Sequence, residues 1–385
     1  MARHWLREQI PNFWKRGACV SVITLGTFIG CTLLVYTTLA NPTPKYGTLQ
    51  QVVFLFRHGD RNPTETYPKD PYINYTWPSG WGALTKKGML QLYNLGRWIR
   101  QEYGAIIGNK YESVNTSVRS TYADRCIMSA QTLLAGLFLP SPEDIFVPGL
   151  EWTPVPVHAI PREVDKLIAV KAPCPRLAEA LKKAYQEEEK RSGEAMADYY
   201  KGLTEHTGQN MTTITDVEFL YNTLEIEDKH GLQLPIWTQK YYNNEMREIA
   251  ARSLAIFTDN IIQKRLQGGP LVKEILQHME ETKIGPQPKR AYFYSAHDIT
   301  IVNTMRTMGF TSKLLKPDYG AALILELHLA DNGNQEVKIL YLKNTETKVA
   351  EFLEIPNCAS PCLLQNLKQA WSEVIPDNWD AECKT

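Results

Sequence analysis

The stretch Val52-Val53-Phe54-Leu55-Phe56, within Thr48–Phe56, constrains the fold most. A strand with one wet face alternates apolar and polar residues, whereas one buried on both faces reads as an unbroken apolar run. The run therefore predicts a central strand of an α/β sheet with helices on both sides. It opens at once into a loop, Arg57-His58-Gly59-Asp60-Arg61-Asn62-Pro63, with two arginines around a histidine. A second buried run, Arg290–Ser295, leads into Ser295-Ala296-His297-Asp298. In open α/β sheets ligands collect where parallel strands end, so these two loops are expected to meet.

Between and beyond these strands, Thr85–Tyr103 and Tyr122–Phe138 carry helical patterning, and Ser113–Arg119 is a short strand candidate. Leu323–Leu329 and Val337–Leu342 form a hairpin around Asp331-Asn332-Gly333. Asn243–Arg265 and Leu271–Thr282 are further helices, with Gly268-Gly269 read as a turn between them. From Cys174 to Leu234 the chain turns polar, and Ala178–Arg191 is rich in Ala, Lys and Glu, as a solvated helix is. The expected architecture is a mainly parallel sheet with helices on both faces, built from residues 48–173 and 235–385, with residues 174–234 as an inserted helical lobe. Acidic and basic residues balance at 42 each, and no basic stripe is interleaved with aromatics, which argues against a nucleic-acid partner.

The N-terminus differs in texture. Residues 1–17 contain Arg3, Arg7, Lys15 and Arg16, and the uncharged, largely apolar run Ala18–Ala40 follows. Its 23 residues are long enough to span a bilayer, and the basic flank favours an orientation that sends the rest across the membrane. The run is either a signal anchor or a long signal peptide cut near Thr38-Leu39-Ala40. Residues 41–47 then form a linker, and any membrane contact comes only through residues 18–40. Of seven cysteines, Cys19 and Cys31 lie in this run, leaving five in the body. Cys358 and Cys362 are close enough to bridge one loop, Cys174 and Cys383 are candidates for a long-range bridge, and Cys126 is left over. Asn74, Asn115 and Asn210 head glycosylation triplets, in keeping with an extracellular or lumenal destination in the secretory pathway.

A phosphate monoester suits the two loops. Its hydrolysis is slow without catalysis and needs cations around the equatorial oxygens with a nucleophile in line. Arg57 and Arg61 supply guanidinium forks that match phosphate oxygens in pairs. His58 is the candidate nucleophile, its imidazole kept neutral by the arginines. Asp298 is the candidate proton donor if burial or bound phosphate raises its pKa, and His297 is expected to hydrogen-bond a phosphate oxygen. His4, His158, His206, His230, His278 and His328 lack metal-ligand spacing, so neither a metal nor a cofactor is expected.

Arg-His-Gly-x-Arg-x-Pro after a strand with a late His-Asp pair resembles the signature of the histidine acid phosphatases, branch 2 of the histidine phosphatase superfamily, which holds prostatic, lysosomal and insect venom enzymes. Arg119-Ser120-Thr121, Pro156-Val157-His158 and Leu266-Gln267-Gly268-Gly269 extend the similarity from about Thr48 to Cys383. The resemblance implies a phosphoglycerate mutase-like core under a helical lobe, and a phosphohistidine intermediate in the hydrolysis of small-molecule or protein phosphomonoesters. It also implies a further phosphate-binding arginine, assigned to Arg119, and bridges Cys174–Cys383 and Cys358–Cys362. A homodimer is implied as well. Cys126 has no partner in this pattern, a third bridge of vertebrate members has no counterpart, and the C-terminal membrane helix of the lysosomal type is missing, so anchoring is expected from the N-terminus. Residues Glu205–Lys240 match least. The alternatives are a dedicated phosphatase for lysophosphatidate or inositol phosphate, or a secreted, non-catalytic, allergen-like binding protein.

Overall fold

The computed structural model describes residues 48–282 and 288–384; the apolar run 18–40 and the linker 41–47 lie outside the described residues. No described helix is long and apolar enough to cross a membrane. From Thr48 onward the chain is one compact unit.

A seven-stranded sheet runs in the order β3-β2-β4-β1-β5-β6-β7. Its strands are β1 Leu49–Arg57, β2 Thr116–Thr121, β3 His158–Ile160, β4 Ala291–Ala296, β5 Ala322–Leu329, β6 Gln335–Leu342 and β7 Glu351–Leu353. The pairings β3-β2, β2-β4 and β4-β1 are parallel. Those of β1-β5, β5-β6 and β6-β7 are antiparallel. The sheet is thus mixed, parallel on the β3 side of β1 and antiparallel beyond it.

β1 is central, and Val52 to Phe56 are buried, as the unbroken apolar run requires. Its side chains divide between two helical layers. Val53 and Leu55 pack with Leu271, Val272 and Ile275 of α6 (Gly269–Glu281) and Ile301 of α7 (Asp298–Thr307). Phe54 faces the other way, stacking on Phe293 and meeting edge-on Tyr103 of α1 (Lys86–Ile107), against which α2 (Asp124–Leu137) lies. Parallel register aligns Phe56 with Ser295 and Arg57 with Ala296, while Ser120 aligns with Ser295. The ends of β1, β2 and β4 therefore lie side by side.

The helical lobe is α3 (Pro175–Thr207) and α4 (Ile214–Lys229), the latter opened by a capping box of Thr213 and Asp216. Its apolar core does not stop at residue 234. Leu203, Val217, Leu220 and Leu224 pack with Tyr241 and with Met246 and Ala250 of α5 (Asn244–Ala255). The helix expected over Asn243–Arg265 ends at Ala255. Asp259 there accepts ion pairs from Arg252 and Arg306, and Asn260 caps a fresh turn by accepting from the Gln263 amide. Lys264–Gly268 is π-helical and runs directly into α6, so Gly268-Gly269 is not a turn. These glycines instead permit close approach. A Cβ on Gly268 would lie 2.1 Å from Thr307 Oγ1, and one on Gly269 2.2 Å from the Val374 carbonyl.

Candidate active site

The β1 loop is clamped onto the start of α1. The Asp60 amide donates to Gln91 Oε1 (2.8 Å), and Asp60 Oδ2 accepts from the Thr85 hydroxyl (2.6 Å), which in turn caps α1. Gly59 passes so near Gly88 that a Cβ would sit 2.4 Å from its carbonyl oxygen. Close backbone approach, rather than a left-handed conformation, demands glycine here.

Within this clamp His58 is 2 % exposed, and its Nδ1 lies 2.8 Å from the Gly59 carbonyl. A carbonyl only accepts, so Nδ1 carries the proton and Nε2 keeps a free lone pair. Burial, followed by the charges of Arg125 and Arg57, holds the His58 pKa well below the ordinary imidazole value. Arg57 Nη1 donates to the Pro317 carbonyl (2.6 Å), and Nη2 pairs with Asp298 Oδ2 (2.8 Å). The Arg57 guanidinium also lies 4.1 Å over the Tyr319 ring. Arg61 Nη1 donates to the Asn62 carbonyl (2.9 Å).

At the end of β4, the His297 ring meets the His58 ring edge-on at 5.5 Å. Burial and then Arg125 bring its pKa down to about 3, so it is neutral at any working pH. Arg125 Nη2 lies 3.4 Å from His297 Nδ1. A guanidinium cannot accept, so Nδ1 is the acceptor and Nε2 bears the hydrogen. Asp298 is the first residue of α7. Burial alone would raise its pKa, but Arg57 and Lys316 more than offset that and hold the carboxyl well below its usual range. Of the two routes expected to make Asp298 a proton donor, burial does not suffice by itself, because in the free site the carboxylate is ion-paired with Arg57; the route through bound phosphate stands.

A second correction concerns the third arginine. Arg119 forms a two-pronged pair with Glu274 of α6 (2.9 and 2.8 Å), to which Tyr294 also donates (2.5 Å). It aligns with Tyr294 inside β2, so strand alternation turns its side chain onto the sheet face under α6, short of the strand end. The arginine that reaches the site is Arg125, in the first turn of α2 beyond the end of β2. Order in the sequence could have favoured it, since Arg57, His58, His297 and Asp298 also sit at or past strand ends. Lys316 was missed altogether. It is 4 % exposed, donates to Asn222 Oδ1 (2.8 Å), and lies 3.6 Å from Asp298 Oδ2, but no motif surrounds it.

Arg57, His58, Arg61, Arg125, His297 and Asp298 line one cleft of about 600 Å³. The Nε atoms of Arg57, Arg61 and Arg125 are buried and find no hydrogen-bond partner among the described residues. Buried donors without partners are costly, and three of them on cations around one imidazole suit a tetrahedral oxyanion.

This fold and this histidine site define the class. The chain belongs to the histidine phosphatase superfamily, branch 2, whose family pattern matches residues 48–342. Among its relatives, human lysosomal acid phosphatase is 34 % identical over 96 % of this chain and 86 % of its own length. Rat prostatic acid phosphatase is 37 % identical over 87 % of this chain and 89 % of its own. The fold also matches the Hafnia alvei phytase solved with myo-inositol hexakis sulphate, with a TM-score of 0.65 at 17 % identity, covering 87 % of this chain and 98 % of that one. The bridges Cys174–Cys383 and Cys358–Cys362 are present, and Cys126 is a free, buried thiol.

Proposed function

We propose that this chain is an acid phosphatase that transfers the phosphoryl group of a monoester to Nε2 of His58. The observation that carries the reading is the bond from His58 Nδ1 to the Gly59 carbonyl, which leaves Nε2 unprotonated among three arginines. Arg57, Arg61 and Arg125 hold the equatorial oxygens, and His297 Nε2–H donates to one of them. Attack by Nε2 forms the N–P bond as the P–O ester bond breaks, and the departing oxygen takes a proton from Asp298. Water then attacks phosphorus, Asp298 receives its proton, the N–P bond breaks, and inorganic phosphate leaves.

Because Asp298 is ionised in the free site, its proton enters with the substrate. A phosphate dianion beside it raises its pKa, and a monoanionic ester, predominant below about pH 6, delivers the proton directly. The kcat/KM should therefore be highest in mild acid and fall by about tenfold per unit above roughly pH 6. Phosphate release from an aryl ester, followed from acid to neutral pH with a chelator present, tests this together with His58→Ala. Turnover that survives in His58→Ala, or a flat profile across that range, defeats the mechanism.

We further place the body in the secretory pathway, as a secreted or lysosomal enzyme, tethered through residues 18–40 if they are not removed. Two disulfides and the exposed Asn74 and Asn210 support that placement; Asn115 is half-buried where it leads into β2. A homodimer would use the edge strand β3, whose approach carries the exposed Phe146 and Trp152, their rings 6.3 Å apart. Sedimentation of Trp152→Glu should then report a monomer.

A further inference from the structure

The cleft reaches well beyond the space among the three arginines, and two parts of its lining have no role in holding phosphate. One is apolar: Leu177 and Leu181 of α3, Phe219 of α4 and Phe257. Phe219 is 44 % exposed. The other is cationic, made by Arg162 and Lys171.

Lys171 is held by an unusual loop. The buried Asp165 accepts the amides of Leu167 and Ile168 on Oδ1 (2.8 and 2.9 Å) and that of Ala169 on Oδ2 (2.9 Å). Its main-chain carbonyl takes the amides of Lys171 (2.8 Å) and Ala172 (3.1 Å). Thr300 of α7 ties the loop to the catalytic side by donating to the Ile168 carbonyl (3.1 Å). Winding the chain around one carboxylate drives Val170 to a φ of 49°, a conformation that β-branched residues rarely adopt. Such strain persists where the surroundings over-determine it, and it gathers at ligand sites.

Among the described residues the two cations have no anionic partner. Neither side chain enters an ion pair or hydrogen bond among the described residues. Partial burial, then the like charge of Arg162, lowers the Lys171 pKa. The carboxyls in the same cleft are engaged elsewhere. Glu218 accepts the Ser253 hydroxyl (2.7 Å) and is pushed up by burial; Glu65, also raised by burial, is drawn on by Arg61. The loop hydrogen-bonded around Asp165 and the short turn before it thus present to the His58 cleft two cations that no carboxylate pairs with among the described residues, alongside an apolar wall.

We propose that Arg162 and Lys171 form a second anion subsite, which with the apolar wall selects phosphomonoesters whose leaving group carries a carboxylate or second phosphate beyond an apolar body. This rests on the phosphomonoesterase reading above. The subsite binds a part of the substrate remote from the reacting bond, so its contribution appears in KM rather than kcat.

Three esters test it on the full-length protein: phenyl phosphate, 4-(2-carboxyethyl)phenyl phosphate and 1,4-phenylene bisphosphate. At low salt at least one charged ester should exceed phenyl phosphate in kcat/KM. Lys171→Gln and Arg162→Gln should each shrink that ratio by about fivefold, chiefly through KM, and about 0.5 M salt should shrink it in the parent protein. Which charged ester responds identifies the anion. Turnover of phenyl phosphate with a ratio that neither substitution nor salt moves overturns the subsite alone. Failure of all three esters overturns the phosphatase reading first, and the subsite with it.

Discussion

Single residues decide this site through the directions their side chains are forced to take. Arg119 and Arg125 are six positions apart, yet one is committed to Glu274 under the sheet and the other lies against His297. Arg125→Ala should therefore lower kcat/KM by roughly a hundredfold or more, as the loss of a buried charge on the transferred group does. Arg119→Ala should leave the ratio of kcat/KM between different esters intact and appear in stability, because it strands Glu274 without its cation. Steady-state kinetics and denaturant melts of the two variants check this, and equal kinetic losses would return Arg119 to the site. His58, Arg57, Arg61, His297 and Asp298 were legible because strand-end loops announce them. Arg125 was obscured because Arg119 itself opens the recognisable triplet Arg119-Ser120-Thr121, and Lys316 because it meets the site only through folding.

At the scale of elements, the sequence spoke clearly where one interaction dominates. The β1 run and the β5-β6 hairpin follow from burial on both faces and from a turn at Asp331-Asn332-Gly333, where Gly333 takes a φ of 80°. It did not disclose that β1 changes partner type, parallel to β4 on one side and antiparallel to β5 on the other, since a buried strand reads alike in both settings. Nor did it disclose the π-helical turn. There Gly268 looks like punctuation, but its missing side chain is what lets the segment lie against α7. Gly268→Ala would press a methyl into Thr307 Oγ1 and the Asn303 carbonyl, so we expect a loss of about 1–3 kcal/mol by urea unfolding. The same helix begins with Asp298, so kcat should fall too; a variant as stable and active as the parent would mean that the helices part without cost.

For the whole molecule, the bridge Cys174–Cys383 joins positions 209 residues apart, closing the foot of α3 onto the C-terminal segment. Around it Val170, Ala172, Leu266 and Trp379 form a small apolar cluster of their own, beside the loop that carries Lys171. In the loop-entropy view a closure this long restricts the unfolded chain by about 5 kcal/mol, an upper figure because native strain and residual structure reduce it. That is comparable with the whole net stability of an ordinary domain, so a reducing compartment would put the fold at risk. Replacing both cysteines by serine should lower Tm by several degrees and raise the susceptibility of the α3 foot to proteolysis. Replacing Cys358 and Cys362, which span only 4 residues, should cost far less. If the two double variants melt together, chain entropy is not what the long bridge contributes, and the cluster around Trp379 holds the C-terminus unaided.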